Sequence, residues 1–303
     1  MIFEKRTLRL PAFSKVNLCL HVIGRRPDGY HELRTIFQTI SLTDTLRLTV
    51  TPKRGKTVEI FMQSSDPELP VDKTNLVMRA IGAIVSEIGF EGHITAYLDK
   101  KIPVARGLGG GSGNAAAALV GMLRATKEKI ALPRLLEIAG GLGADVPFFL
   151  FGGRALAVSR GDEIYPLDDL PKQTIVVVSP RNIGVSTKDA YQWISAELTK
   201  SAKPPNIFEF CALCWSRQGR VSNDFEGPVF SRYPRLGEIR DGLLKRGAAN
   251  AALAGSGSAV FGVFRNPAQA RRAARAFPED SVFVAETLSR EKYGRAMGWS
   301  VTR

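Results

Sequence analysis

The sequence predicts an α+β protein built in two halves, and three observations carry that prediction. Stretches with the period-two alternation of half-buried strands are interspersed with stretches of helical apolar spacing, and some of the strands follow one another as hairpins. This mixture occurs twice, before and after the charged, proline-bearing segment SRGDEIYPLDDLPK at 159–172. The chain has 303 residues, 44% of them hydrophobic and 23% charged, which is enough for a large core and two domains. The expected division is 1–165 and 166–303.

In the first half, LRLPAFSKVNLCLHVIG reads as strands interrupted at Pro11, and DTLRLTV and KTVEIFM continue the alternation. NLVMRAIGAIVSEIGF puts Leu76, Val77, Ala80, Ile81, Ile84, Val85 and Ile88 on one helical face. Asn75 stands where the N-cap of that helix belongs. HITAYLDKKIP is a strand ending at Pro103; a glycine run then opens a helix through AAAALVGMLRAT, and PRLLEIAGGLG gives another closed by glycine.

The second half begins with TIVVVSP as a strand, followed by KDAYQWISAEL as a helix, an apolar helix near 206–215 and a further helix in PRLGEIRDGLLKRG. AANAALAG and SAVFGVF are strands around a second glycine turn, PAQARRAARAF is a helix and SVFVAET a strand. There are no internal repeats or low-complexity segments.

Composition narrows the function classes. No apolar run approaches the roughly 18 residues that span a bilayer, and MIFEKRTLRL lacks the apolar core of a signal peptide. A soluble cytoplasmic protein without a membrane partner is expected. Three cysteines are an odd number, so a disulfide framework is not expected and a reducing compartment is. Cys211 and Cys214 form a C-x-x-C, but its neighbours IFEFCALCW have helical apolar spacing, with no second pair or histidine nearby in sequence; it is read as packing, not as a metal or redox site. The net charge of +13 is scattered over short clusters, with no basic arm or zinc-finger spacing. Such a diffuse field steers a small polyphosphate towards a cleft, and no nucleic-acid partner is expected.

RGLGGGSGNAAA, at 106–117, combines residues without Cβ with the start of a helix, whose N-terminal amides are electropositive. It lacks the Gly-Lys-Ser/Thr of a Walker loop and the spacing of a dinucleotide fold. Glycine content alone leaves a phosphate cradle and a structural turn both open.

The order of segments goes further. FSKVNLCLHVIGRRPDGYHELRTIFQTI, PVARGLGGGSGNAA, LGADVPFFLFGGRA, SNDFE at 222–226 and LAGSGSAVFGVF at 253–264 follow one another from residue 14 to residue 264. With these motifs the sequence resembles the GHMP kinase superfamily of small-molecule ATP kinases, whose signature is a Pro-x-x-x-Gly-Leu-Gly-rich loop. PDGYHEL and LGADVPFF narrow the resemblance to the branch that phosphorylates the 2-hydroxyl of a cytidine diphosphate ester in non-mevalonate isoprenoid synthesis.

The resemblance implies an N-terminal domain like the second domain of ribosomal protein S5, a C-terminal ferredoxin-like α/β sandwich, and an active site between them that uses ATP and Mg²⁺. It implies that Pro103, Gly107, Leu108, Gly109, Gly110, Gly111, Ser112, Gly113 and Asn114 surround the ATP phosphates. Gly113 departs from the family pattern, which has a second serine there; Ser112 is left as the loop hydroxyl that could meet phosphate or magnesium. By the same resemblance Asp145 is the candidate general base, accepting the hydroxyl proton or orienting that hydroxyl, and Lys15 beside it keeps the carboxylate ionised or stabilises the transferring phosphoryl group, with Asn17 on the same strand face by period two. Tyr30 and His31 match the cytosine-binding pair, and Thr187 and Tyr191 the far wall of that pocket. The turn AGSGSA would close the substrate end of the cleft, and Asn75 would lie near the adenine side if it did more than cap. His21 and His93 match no motif and are read as structural. A bacterial cytosol is expected because only 14 residues precede Lys15, and the assembly is expected to be a monomer or homodimer.

Overall fold

A computed structural model describes residues 4–53, 55, 57–198, 210 and 221–301. Two long strands form the spine of its first sheet. β1 (Arg6–Arg25) and β2 (His31–Pro52) pair antiparallel from Arg6 opposite Val50 to Arg25 opposite His31, and Gly29 turns the chain between them at φ 86°. β1 does not break at Pro11, which lies opposite Thr45. That stretch of β1 has no described strand on its other edge, and an edge tolerates the missing N–H.

β3 (Val58–Ser64) pairs parallel with β4 (Gly92–Asp99), and β4 lies along the second half of β2. The first half of β2 takes β5 (Arg154–Ser159), which turns back into β6 (Glu163–Pro166). The segment expected to divide the halves therefore spends its beginning as a strand of the first sheet. The alternating apolar residues in EIYP have a cross-strand partner in β5, and this outweighs the charged neighbours.

Helices cover one face of this sheet. In α1 (Leu76–Ile88) the Asn75 side chain accepts from the Val77 amide, and Gly89 closes the helix in the left-handed region, as its spacing predicts. α2 (Gly110–Thr126) is buried on all sides from Gly113 to Leu123, which explains its alanines: only small residues let the helix lie against β1, α1 and α3 (Leu132–Leu142) together. The one-turn α4 (Phe148–Phe151) adds Phe148 and Phe149 to the same core.

The second sheet contains β7 (Thr174–Ser179), β9 (Asn250–Leu253), β10 (Val260–Phe264) and β11 (Ser281–Glu286), ordered β11-β7-β10-β9 and all antiparallel. In chain order these four strands lie fourth, first, third, second, the ferredoxin-like arrangement. α5 (Thr187–Leu198), α6 (Glu226–Arg232), α7 (Pro234–Lys245) and α8 (Pro267–Ala274) complete this half. The helix expected near 206–215, with Cys211 and Cys214, lies outside the described residues. Cys19 is disulfide-bonded, a bond that the sequence reading does not expect.

Among the described residues the halves are joined in several places. Val16, Ile40 and Leu108 pack with Ile175, Val177 and Phe261 in one buried cluster. β8 (Ser222–Asn223) pairs parallel with Cys19 and Leu20 of β1. The last helix, α9 (Arg290–Met297), returns to the first half, where Tyr293 is 1% exposed and donates its hydroxyl to the Phe149 carbonyl.

Candidate active site

β1 carries Lys15 and Asn17 on one face, because alternate strand residues point the same way, while Val16 between them enters the cluster that joins the halves. Lys15 is 4% exposed, and its charge is matched on several sides. Its Nζ donates to Asn17 Oδ1 at 2.8 Å, lies 3.3 Å from Asp145 Oδ2 and sits 5.1 Å from the centre of the Phe37 ring. Asn17 Nδ2 donates to Thr35 Oγ1 at 2.8 Å, and Thr35 Oγ1 donates to the Cys19 carbonyl at 2.6 Å. A buried ammonium is tolerated only when so satisfied, and the chain of bonds fixes where it points. Asp145, in the turn between α3 and α4, keeps about a third of its side chain exposed (31%) to the cavity beside it.

The glycine loop meets this pair edge-on. The Lys15 amide donates to the Leu108 carbonyl at 2.9 Å. Gly107 (φ 77°) has no room for a Cβ, which would stand 1.8 Å from the Ala254 carbonyl oxygen of the second glycine turn. The first turn of α2 has no side-chain cap, so its amides are free to face an anion. Gly113 is tied into the fold by its own packing. Its amide is spent on the Gly109 carbonyl at 2.9 Å, it lines neither cavity, and a Cβ there would stand 2.2 Å from the Phe13 carbonyl oxygen. Its lack of a Cβ lets α2 approach β1 at Phe13.

Two cavities meet at the loop. The larger, about 850 Å³, is lined by Lys15, Asn17, Tyr30, His31, Asp145 and Tyr191 among others. The smaller, about 520 Å³, is lined by Pro103, Leu108, Gly110, Gly111 and Asn114 and reaches the capping residue Asn75. Gly107, Gly109, Ser112 and Thr187 border both. A loop with one wall in each cavity can hold a phosphoryl group between a donor on one side and an acceptor on the other.

The far end of the larger cavity is aromatic. His31 stacks on Tyr191 at 4.7 Å and 27°, and Phe225 meets Tyr191 edge-on at 4.9 Å. Tyr30 is 57% exposed, with the Arg160 guanidinium 5.0 Å from its ring centre. Ser195 Oγ donates to the Tyr191 carbonyl at 2.8 Å and lies 2.7 Å from His31 Nε2. With the serine hydrogen so used, Nε2 donates and Nδ1 is left as an acceptor. Burial, helped by the charge of Arg25, holds the His31 imidazole below its ordinary pKa, and burial pushes the Tyr191 phenol well above its own. The second glycine turn closes the side: Ser256 Oγ is 3.1 Å from Thr187 Oγ1, and Asn223, from the SNDFE motif, donates to the carbonyls of Leu253 and Gly255 at 2.8 and 2.7 Å.

Family models for the GHMP kinases N terminal domain and the GHMP kinases C terminal match residues 75–153 and 207–281. A 4-diphosphocytidyl-2-C-methyl-D-erythritol kinase of Solibacter usitatus is 42% identical over 296 residues, covering 95% of this chain and 91% of its own. The chain belongs to the 4-diphosphocytidyl-2-C-methyl-D-erythritol kinase family. A crystal structure of a 4-(cytidine 5'-diphospho)-2C-methyl-D-erythritol kinase superposes with a TM-score of 0.77 at 34% identity, over 92% of this chain and 99% of that one. Homoserine kinase from Cytophaga hutchinsonii shares the fold at 18% identity and a TM-score of 0.68, over 93% and 95% of the two chains. The two-domain α+β GHMP kinase fold is thus that of this kinase family member.

Two polar residues of the site are not singled out by the sequence reading. Thr35 sits in the strand stretch RTIFQTI and Ser195 on a helix surface, and neither residue type is unusual there. Period two places Thr35 on the same strand face as Leu33 and Phe37, which also line the cavity, and that was the available signal. The two remaining histidines are structural in position: His21 Nδ1 lies 3.2 Å from Asp224 Oδ1, where β8 joins β1, and His93 Nδ1 lies 3.0 Å from Glu59 Oε2 on the surface.

Proposed function

We propose that this chain transfers the γ-phosphoryl group of ATP to the 2-hydroxyl of 4-diphosphocytidyl-2-C-methyl-D-erythritol, a step of the non-mevalonate route to isoprenoid precursors. The observation that carries the proposal is the Lys15–Asp145 pair, 3.3 Å apart, beside a glycine loop with a wall in each of two cavities. ATP lies with its phosphates on the amides at the start of α2 and its base towards Asn75, in the smaller cavity. The acceptor lies in the larger one, its cytosine against Tyr30, His31 and Tyr191, with Thr187 at the junction and Asn17 holding Lys15.

The acceptor oxygen forms a bond to the γ-phosphorus as the bond from that phosphorus to the β–γ bridging oxygen breaks, and ADP departs with the electron pair. The hydroxyl proton passes to Asp145. Lys15 stabilises charge on the moving group, and the loop amides hold it in line. His31 Nδ1, as an acceptor, suits the exocyclic amine of cytosine and is unsuited to the carbonyl that uracil carries there.

Magnesium fits the oxygen donors present. Asn114 Oδ1 is buried without a hydrogen-bond partner in the first turns of α2, and Ser112 borders both cavities. Magnesium is held mainly by substrate phosphates and water, so a cluster of three acidic residues is not required. Ser112 would hold it beside the loop, and when bound it neutralises charge on the β- and γ-phosphates.

The proposed division is 1–165 for the ATP-binding domain and 166–303 for the second. The protein would work in the bacterial cytoplasm as a monomer or homodimer, with a small molecule as its only partner. A coupled ADP assay with the cytidylyl substrate and its uridylyl analogue tests the reading. Turnover of the first well above the second is expected, and equal turnover, or none with either, overturns it.

A further inference from the structure

We infer that Arg106 binds the nucleotide polyphosphate directly, its guanidinium held at the smaller cavity by the C-terminal half. The inference rests on the proposed ATP site and adds a residue to it. Arg106 precedes Gly107, and its neighbours Ala105 (φ 54°) and Gly107 (φ 77°) are both in the left-handed region, so the backbone that presents it follows a defined path. The Ala259 amide donates to the Arg106 carbonyl at 3.2 Å and ties that path to the second glycine turn.

The side chain is held at two further points. One terminal nitrogen donates to Ser258 Oγ at 2.7 Å, the other to the Arg181 carbonyl at 3.3 Å. Ser258 is 0% exposed and donates its own hydrogen to the Ile183 carbonyl at 2.6 Å, so its oxygen is aimed at the arginine. Both acceptors are neutral. Among the described residues Lys100 and Arg106 are the cations that line the smaller cavity, and their situations differ. The Lys100 ammonium is 2.8 Å from the fully buried carboxylate of Asp44, which neutralises it. Arg106 has no carboxylate partner among the described residues.

A partly buried guanidinium without an anion is unfavourable, and burial indeed weakens its hold on its proton. A polyphosphate beside the loop removes that cost. The planar fork retains donors beyond the two already used, and it matches phosphate oxygens in pairs as an ammonium cannot. The ligand class is therefore a nucleoside di- or triphosphate, recognised by its phosphates. Because the fixing oxygens belong to Ser258 and Arg181, the cation is in place only when the two halves are packed together.

Calorimetric titration of wild type, Arg106→Ala and Arg106→Lys with ATP, ADP and adenosine tests this. Arg106→Ala is expected to weaken ATP and ADP by about tenfold or more while adenosine changes by less than about twofold, and Arg106→Lys should fall between. Steady-state kinetics should give a raised KM for ATP and an unchanged KM for the cytidylyl substrate. ATP affinity unchanged in Arg106→Ala, or ATP and adenosine weakened alike, overturns the inference. If Arg106→Ala does not fold, the ratio of ATP to adenosine affinity in Arg106→Lys decides in the same way. A wild type that binds ATP but does not turn over the cytidylyl substrate would sink the proposed reaction and leave this comparison readable.

Discussion

The Lys15 ammonium and the Asp145 carboxylate stand 3.3 Å apart, the lysine buried and the acid open to the larger cavity. One partner is fixed by a strand and its bonding chain; the other has freedom to meet a substrate hydroxyl. Asp145→Asn keeps the shape and removes the proposed proton acceptor. We expect kcat to fall by roughly 10² to 10⁴ with the unfolding midpoint nearly unchanged. Wild-type turnover in a coupled ADP assay would contradict the assigned role.

Thr35 supports this pair at one remove, accepting from Asn17, which in turn accepts from Lys15. In Thr35→Val the Asn17 amide loses a buried partner, at a cost of about 1 to 3 kcal/mol in stability. We expect lower kcat with the KM for ATP unchanged. Thermal unfolding and steady-state kinetics measured on the same preparation separate the two effects.

His31 should govern the base and not the nucleotide donor. His31→Ala is expected to raise the KM for the cytidylyl substrate by about tenfold, the scale of one lost stacking contact, while ATP behaves as in wild type. A matched rise in both KM values would argue for a general structural defect.

The same residue predicts a pH effect. Its folded pKa is lowered, first by burial and then by Arg25, so the unfolded chain takes up the proton first as pH falls. Stability is therefore full above the unfolded value of about 6.5 and is lost as pH falls from there through the folded value. Acid sensitivity of the unfolding midpoint in that window should diminish in His31→Gln. Identical pH profiles for variant and wild type would refute it.

Gly113 predicts a loss of stability without a loss of nucleotide affinity. A methyl group there would collide with the Phe13 carbonyl, and overpacking of this kind costs about 1 to 3 kcal/mol. Gly113→Ala should unfold at lower temperature yet, while folded, bind ATP within about twofold of wild type. Intact stability with weakened ATP binding would return Gly113 to the phosphate site.

What the chain reveals by reading alone follows the range of the interactions involved. The Asn75 cap, the alanine helix and the shared face of Lys15 and Asn17 are local patterns, and the structure repeats them. The packing constraint on Gly113 is not legible in the sequence, because it comes from the backbone of another segment, at Phe13. Pro11 signals a break only if its strand has partners on both sides, and edge position is a property of the whole sheet. The strand in EIYP depends on pairing with β5, and Ser195 matters only because His31 arrives from a distant strand. Motifs bring the reacting groups to notice, and Ser195, which holds His31, belongs to none of them.

Tyr293 fills a place in the first core that Gly152 leaves clear, since a Cβ there would stand 2.2 Å from the tyrosine ring. That core is started by the first strands and completed by one of the last helices. During synthesis the contacts of Tyr293 with Phe13 and Phe149 are therefore among the last of the first core that can form. A chain shortened before Tyr293 would lack a piece of its N-terminal interior, so trimming the C-terminal end should weaken the opposite half of the molecule.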